Sequence, residues 1–375
     1  MTRKKVLFVA TVVKMHINVF HIPMLKWFHD QGWETHVCAK DDFDADETCE
    51  IPYCDYFHET DFARFPLKIQ NIEAYRSMKK LIEKEKFDIV YCHTPVGAAV
   101  ARLAAVSERR NGTKVIYMAH GFHFYKGAPL ANWLLYYPAE KFLSRFTDLL
   151  ITINKEDYGR AKSFHMKRLE YIPGVGIDLN RFSVLPGIRE EKRKELNISD
   201  DEFALVSVGE LSRRKNHRVV IEALHQLENR KIKYFICGCG ALENELKDLI
   251  KEYGLNDQIF LLGFRKDIPE IYNACDVFVF PSLQEGLPVA MMEAMACGLP
   301  VIASNIRGNS DLIDRKKGGY LIKPTNVDGF AKGIEKMEKN RDRLDGIRRY
   351  NLNKIQQYRT EEIVDKMAEL YQQIM

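Results

Sequence analysis

No apolar stretch in this sequence approaches the ~20 residues that a helix needs to cross a bilayer, so a membrane-spanning protein is not expected. Charge of one sign is scarce as well. Its 56 Lys and Arg against 52 Asp and Glu leave a formal +4. No Lys/Arg stripe with interleaved aromatics stands out, so nucleic acid is not an expected partner. Eight cysteines are present, at 38, 49, 54, 92, 237, 239, 275 and 297, and no two form a Cys-x-x-Cys pair. Cys92, Cys237 and Cys275 lie in apolar runs, which argues for reduced, buried thiols over a disulfide framework or a cysteine zinc motif. The N-terminal run Arg3–Val13 imitates a signal peptide, but it is short, Lys14 and His16 interrupt it, and no small-residue cleavage site follows. It reads as a first buried strand in a cytoplasmic protein.

With 375 residues there is length for two domains with separate cores. Apolar, β-branched runs alternate with helical patterns, the signature of parallel sheets with crossover helices. The first half carries strands at Val6–Ala10, Thr35–Cys38, Ile89–Cys92, Val115–Met118 and Leu149–Ile153. The second carries them at Leu205–Val208, Tyr234–Cys237, Ile259–Leu262, Val277–Phe280 and Val301–Ala303. Expected helices include Pro23–Gln31, Asn71–Lys84, His217–Leu227, Leu242–Glu252 and Ala290–Ala296. The expected class is α/β, with two doubly wound Rossmann-like domains at 1–180 and 190–358 and a turn-rich, charged linker near 175–195. A last amphipathic helix runs roughly over Glu361–Ile374.

The most informative stretch is Phe278–Gly298, where an apolar strand runs through Pro281-Ser282 into Gly286-Leu287-Pro288 and a short helix that stops at Gly298. Proline suits a first helical turn and glycine the position past the end. The turn and the first N–H groups of such a helix form a site for a diphosphate. Glu285 before the turn and Glu293 inside the helix can then grip hydroxyls on either side of it, an arrangement that suits an activated sugar. Two solvated glutamates beside a buried strand–turn–helix is the plainer reading; their position flanking the turn favours the functional one.

This spacing resembles the paired-glutamate signature of retaining glycosyltransferases of the two-domain GT-B architecture, family 4. The resemblance covers nearly the whole chain and is stronger in the second half. It implies two domains facing a central cleft, the helix 360–375 packing back on the first, and a nucleotide-sugar co-substrate in place of a bound cofactor. Glu285 would hold donor-sugar hydroxyls, Glu293 the ribose hydroxyls and Lys215 the diphosphate. Gly286, Leu287 and Val289 would line the donor, and backbone groups at Phe264 and Arg265 the base. Val206–Asn216 resembles the family's strand–Gly-Arg-Leu–Lys-Gly element, with Gly209 at the turn; Glu210 stands where arginine is usual, and Arg213 or Arg214 is the candidate replacement. Ile236-Cys-Gly-Cys-Gly240 lacks the third glycine of a dinucleotide fingerprint, since Glu243 takes its place, and reads as a bend at Gly238 beside the nucleotide.

Ligands of open parallel sheets bind beyond the carboxyl ends of the strands. In the first half those positions hold Lys14 and His16, then His93 and Thr94, then His120, Gly121 and His123. Nine of the 11 histidines precede residue 170. His16, His93 and His123 are expected on the acceptor side; by resemblance His120 reaches a donor-sugar hydroxyl. A zinc site at His93, His120 and His123 is the less favoured alternative, because no carboxylate or thiolate is visibly paired with them, and no metal is expected. Asp44-Ala-Asp46 reads as part of a solvated acidic loop. The segment 120–129 looks most like enzymes of bacterial capsule and exopolysaccharide assembly.

The expected function is a retaining, metal-independent transferase. It would move a sugar, an N-acetylhexosamine, from a UDP-sugar to a lipid-linked oligosaccharide at the cytoplasmic face of the inner membrane. The rivals are a nucleotide-sugar epimerase or hydrolase of the same fold and a non-catalytic partner subunit. Tyr125–Phe146, rich in aromatics with Lys126, Lys141 and Arg145, is read nearly evenly as a membrane-docking face or as a core helix divided at Pro138.

Overall fold

The computed structural model describes residues 3–63, 65–66 and 68–375. The chain divides into two compact units: residues up to Gly176 joined by Thr360–Met375, and Ile177–Arg359. The first unit contains β1 (Lys5–Val12), β2 (Glu34–Lys40), β3 (Tyr56–Glu59), β4 (Ile89–Cys92), β5 (Lys114–Ala119), β6 (Leu149–Thr152) and β7 (Arg168–Tyr171). They form one parallel sheet in the order β3-β2-β1-β4-β5-β6-β7. In the second unit β8 (Phe203–Val208), β9 (Ile232–Cys237), β10 (Ile259–Gly263), β11 (Val277–Phe280), β12 (Val301–Ser304) and β13 (Gly319–Ile322) form another, in the order β10-β9-β8-β11-β12-β13. Both sheets reverse their winding beside their first strand, between β1 and β4 and between β8 and β11. Ligand sites of doubly wound sheets sit at that switch point.

Central strands such as β1, β4 and β11 are buried on both faces and read as continuous apolar runs. That is why sequence pattern finds them. β3, β7 and β13 were not expected. Each is a four-residue edge strand, largely half-buried or exposed, and Tyr-Phe-His-Glu or Arg-Leu-Glu-Tyr carries no apolar run.

Two expectations are corrected. The stretch 175–195 is not all linker, because Ile188–Glu195 is a helix of the second unit. Its charged pattern has a purpose: Arg189 donates to the carbonyls of Asn273, Ala274 and Cys275 and to Asp276 at 2.6 Å, and Arg193 reaches Asp276 at 3.5 Å. Pro138 does not divide its segment either; Leu130–Leu143 is one helix. The carbonyl that loses its donor to Pro138 belongs to Leu134, on the exposed side of the helix. A buried ion pair anchors this helix. Arg102, in the helix Pro95–Ala104, meets Glu140 at 2.9 Å, and Tyr117 of β5 donates to the other carboxylate oxygen at 3.3 Å.

The helix Thr360–Ile374 closes the first unit, with the Tyr371 ring 4.9 Å from Phe28 and 5.7 Å from Tyr91. All eight cysteines are free thiols.

Candidate active site

The carboxyl ends of β8, β9, β11 and β12 meet in the second unit with almost no side chain between their backbones. A Cβ on Gly238 would stand 2.1 Å from the carbonyl oxygen of Gly209, and one on Gly308 2.2 Å from that of Gly286. Both glycines also have positive φ, +144° and +79°. Glycine is required there by conformation and by space together.

Into this backbone cradle project two cations and a carboxylate. Lys215 Nζ and Arg214 Nη1 both bond Glu285 Oε1, at 2.8 and 2.9 Å, and neither takes Oε2. Lys215 and Glu285 side chains are 11% and 10% exposed, whereas Arg214 is 43% exposed. Lys215 is held there by packing, its ammonium 4.5 Å from the Phe280 ring centroid. Burial pulls its pKa below the usual lysine value, and the Glu285 charge opposes that shift. Arg214 is therefore the arginine that joins Lys215, while Arg213 lies exposed. Glu210 is exposed and adds favourably to the charge on Lys215.

After Glu285 the chain passes through Gly286 and buried Leu287 into the helix Val289–Ala296. Pro288 is its N-cap, one residue earlier than a first-turn position, and no side chain caps the helix. Its first N–H groups carry the positive end of the helix dipole. Val289 is half-buried at that start. Glu293 lies one turn further. Burial pushes its carboxyl up to about 7, against the opposing pull of Arg181 and of the Tyr272 hydroxyl, which donates at 3.5 Å. A carboxylate that is costly to ionise alone gains most from hydroxyl donors.

At the end of β10, Phe264 is 75% exposed. Arg265 beside it bonds Asp267 at 2.7 Å and Glu195 at 2.8 Å, so its side chain is already committed. Sequence reasoning missed Arg307, whose Nε donates to the Glu285 carbonyl at 3.0 Å. It also missed Tyr272 and Arg181 beside Glu293. The only available signal for Arg307 was its place after β12 and before a glycine.

In the first unit β1 leads into a single π-helical turn, Val13–Ile17, and then into the helix Ile22–Asp30. The turn delivers His16 and His21 towards His93 after β4 and His120 after β5. Burial lowers the pKa of all four, that of His16 to about 4, so they are neutral at pH 7. His93 is 1% exposed and stacks between Phe8 and His21, at 5.8 and 3.5 Å. The set His93, His120 and His123 is not brought together, because the His123 ring stacks on Tyr136 at 4.5 Å. Of the Asp44–Asp46 pair, Asp44 is engaged by Lys14 at 3.0 Å.

The helix Leu130–Leu143 has two faces. Trp133, Tyr136 and Tyr137 pack on the core of the first unit. Leu130, Leu134 and Phe142 are 73%, 71% and 51% exposed, with Arg145 close to Phe142. Among the described residues no helix is long and apolar enough to cross a membrane.

Comparison with known proteins gives these features a common context. The family described as glycosyl transferases group 1 matches residues 188–354, and the one described as glycosyl transferase 4-like matches residues 5–154. A protein of Bacillus subtilis (strain 168) named as a glycosyltransferase, EpsD, is 39% identical over 377 residues, covering 99% of this chain and 97% of its own. A UDP-Gal:alpha-D-GlcNAc-diphosphoundecaprenol alpha-1,3-galactosyltransferase of Escherichia coli is 33% identical over 358 residues, covering 90% of this chain and 91% of its own. Among solved structures, Anabaena Alr3699/HepE in complex with UDP and glucose superposes with a TM-score of 0.80 at 20% identity. That alignment covers 99% of this chain and 100% of that one. At that identity it speaks for the fold.

Proposed function

This chain belongs to the glycosyltransferases, and we propose that it moves a hexose or N-acetylhexosamine from a UDP-sugar to a lipid-linked oligosaccharide during surface polysaccharide assembly. The carrying observation is the convergence of Lys215 and Arg214 on Glu285 beside the uncapped start of the helix that bears Glu293. Two cations and free N–H groups are enough to balance a diphosphate, so no divalent cation is proposed there. Glu285 Oε2, which neither cation takes, is proposed to accept from a donor-sugar hydroxyl, and Glu293 from the ribose hydroxyls. Phe264 and the backbone around it are proposed to meet the base.

The reaction is proposed to retain the donor's configuration. The bond from the anomeric carbon to the diphosphate breaks, and the acceptor oxygen bonds the same carbon on the same face. The departing phosphate oxygen takes the acceptor proton. Catalysis is then positioning plus stabilisation of the leaving group's growing charge by Lys215 and Arg214. The E. coli relative's name supports a UDP-linked donor and a diphosphopolyprenol acceptor.

The exposed face of Leu130–Leu143 is proposed to dock on the cytoplasmic side of a membrane, where such acceptors reside. The test is release of UDP from a panel of UDP-sugars, with and without a GlcNAc-diphosphopolyprenol. Release that requires the acceptor supports transfer. Equal release without it favours a hydrolase, and none with any donor favours a non-catalytic subunit.

A further inference from the structure

An apolar groove of about 450 Å³ lies on the first unit, between the helices Gln70–Glu85, Pro95–Ala104 and Leu130–Leu143. Ile72, Tyr75, Val96, Leu103, Tyr136 and Leu143 line it. Two alanines of the lining, Ala99 and Ala139, keep it open where larger side chains would fill it. The buried polar groups of its wall are already spent. Asn71 accepts from the Ala63 N–H and donates to the Phe65 and Pro66 carbonyls, and Glu140 is held by Arg102 and Tyr117. The wall therefore offers a ligand apolar area in place of hydrogen bonds. Its rim is apolar as well. Ile72 and Leu103 are 52% and 39% exposed, and Ile69 and Leu135, one turn from Ile72 and Ala139, are 75% and 41% exposed. Single exposed apolar residues are ordinary, whereas a set gathered around a hollow marks a binding surface.

We propose that this groove binds the isoprenoid tail of the lipid-linked acceptor, an inference that rests on the transfer reading above. Its position selects the occupant. One end of the groove is Pro95, which follows His93 and Thr94 at the carboxyl end of β4. A small hollow lined by Gly121, Phe122 and His123 shares Pro95, Tyr136 and Glu140 with the groove. The groove thus runs up to the strand ends where the acceptor sugar belongs. A bulk phospholipid has no need to reach that point. An acceptor whose sugar sits there must lay its tail close by, and this apolar surface begins there. Lys68 lines the groove, exposed and in no ion pair among the described residues, and is free to meet the acceptor's diphosphate.

The full chain, without UDP-sugar, is dialysed against GlcNAc-diphospholipids with geranyl (C10) or geranylgeranyl (C20) tails, each kept below the concentration at which it forms micelles. The C20 ligand should bind about tenfold tighter or more, because about ten further carbons leave water. Ala99→Trp, which fills the groove, and Ile72→Asp, which charges its exposed rim, should each lower C20 affinity to about that of C10. Leu134→Asp, on the other face of its helix, should leave it unchanged. Equal affinity for the two tails overturns the proposal. So does a folded Ala99→Trp or Ile72→Asp chain that still prefers C20 as the wild type does. Dioctanoylphosphatidylglycerol that competes as well as the C20 ligand would mark a general lipid crevice and overturn it too. The measurement needs no turnover, so it separates the two readings. A C20 preference with no UDP release from any UDP-sugar sinks transfer alone, and acceptor-dependent UDP release with no tail preference sinks the groove alone.

Discussion

Raising the pH from 5.5 to 7.5 should tighten UDP-sugar binding, and Glu293 is the reason. Burial holds its carboxyl at about 7 in the unliganded protein, against 4.5 for an ordinary glutamate. At about 1.36 kcal/mol per pKa unit, ionising it unaided costs roughly 3 kcal/mol. Ribose hydroxyls can only donate to the charged form strongly, so the bound state favours ionisation and pulls the pKa back down. With a bound pKa near its ordinary value, the free protein is ionised to roughly 3% at pH 5.5 and roughly 75% at pH 7.5, which predicts about a twentyfold gain in affinity. Near pH 6 each binding event should release close to one proton. A UDP-sugar is the right probe, because its diesterified diphosphate has no proton to lose in this range. Calorimetry in buffers of different ionisation enthalpy measures both quantities, and Glu293→Gln should abolish both. The stability sign is opposite. A folded pKa above the unfolded one means the unliganded protein loses stability as pH rises from about 4.5 through 7. An affinity that stays flat over this range, or a slope that survives in Glu293→Gln, would refute the ribose assignment.

Lys215→Ala should lower turnover by roughly 10²–10³-fold, as expected when a charge aimed at a leaving group is removed; steady-state kinetics will show it. Glu285→Gln should also abolish transfer yet leave UDP affinity equal or higher, since the carboxylate that competes for Lys215 and Arg214 is gone; a UDP affinity that collapses would place Glu285 at the nucleotide instead. Gly238→Ala should destabilise the second unit by about 2 kcal/mol or more in denaturant unfolding, because its methyl group meets the Gly209 carbonyl and its φ is positive; a near-neutral change would mean that this turn relaxes freely. The chain should sediment with anionic vesicles at low salt and be released by salt or by charge reversal at Lys141 and Arg145; protein that stays in the supernatant would show that Leu130, Leu134 and Phe142 do not dock.

The buried strands and the Glu285–Glu293 element were legible because two-sided burial and a turn–helix junction impose residue types directly. The edge strands were not, since β3 and β7 answer to solvent on most sides and carry mixed polarity. Lys215 could be named from its motif. The choice between Arg213 and Arg214 could not, because adjacent residues at a helix entrance point in different directions that only the backbone sets. The histidine cluster was half legible. His16, His93 and His120 each follow a strand end, but His21 sits five residues past His16 and reaches them only through a π-helical turn that no glycine or proline announces. His123 does not join the cluster, because its ring stacks on Tyr136.

The claim that two cations and two carboxylates position a UDP-sugar for same-face transfer is tested most directly by the anomeric proton of the product. With an α-linked UDP-sugar and a GlcNAc-diphosphopolyprenol acceptor, NMR of the purified product should show the α-configuration. A β-linked product would contradict the account, because inversion requires a general base on the opposite face and no role of that kind is given to any residue here.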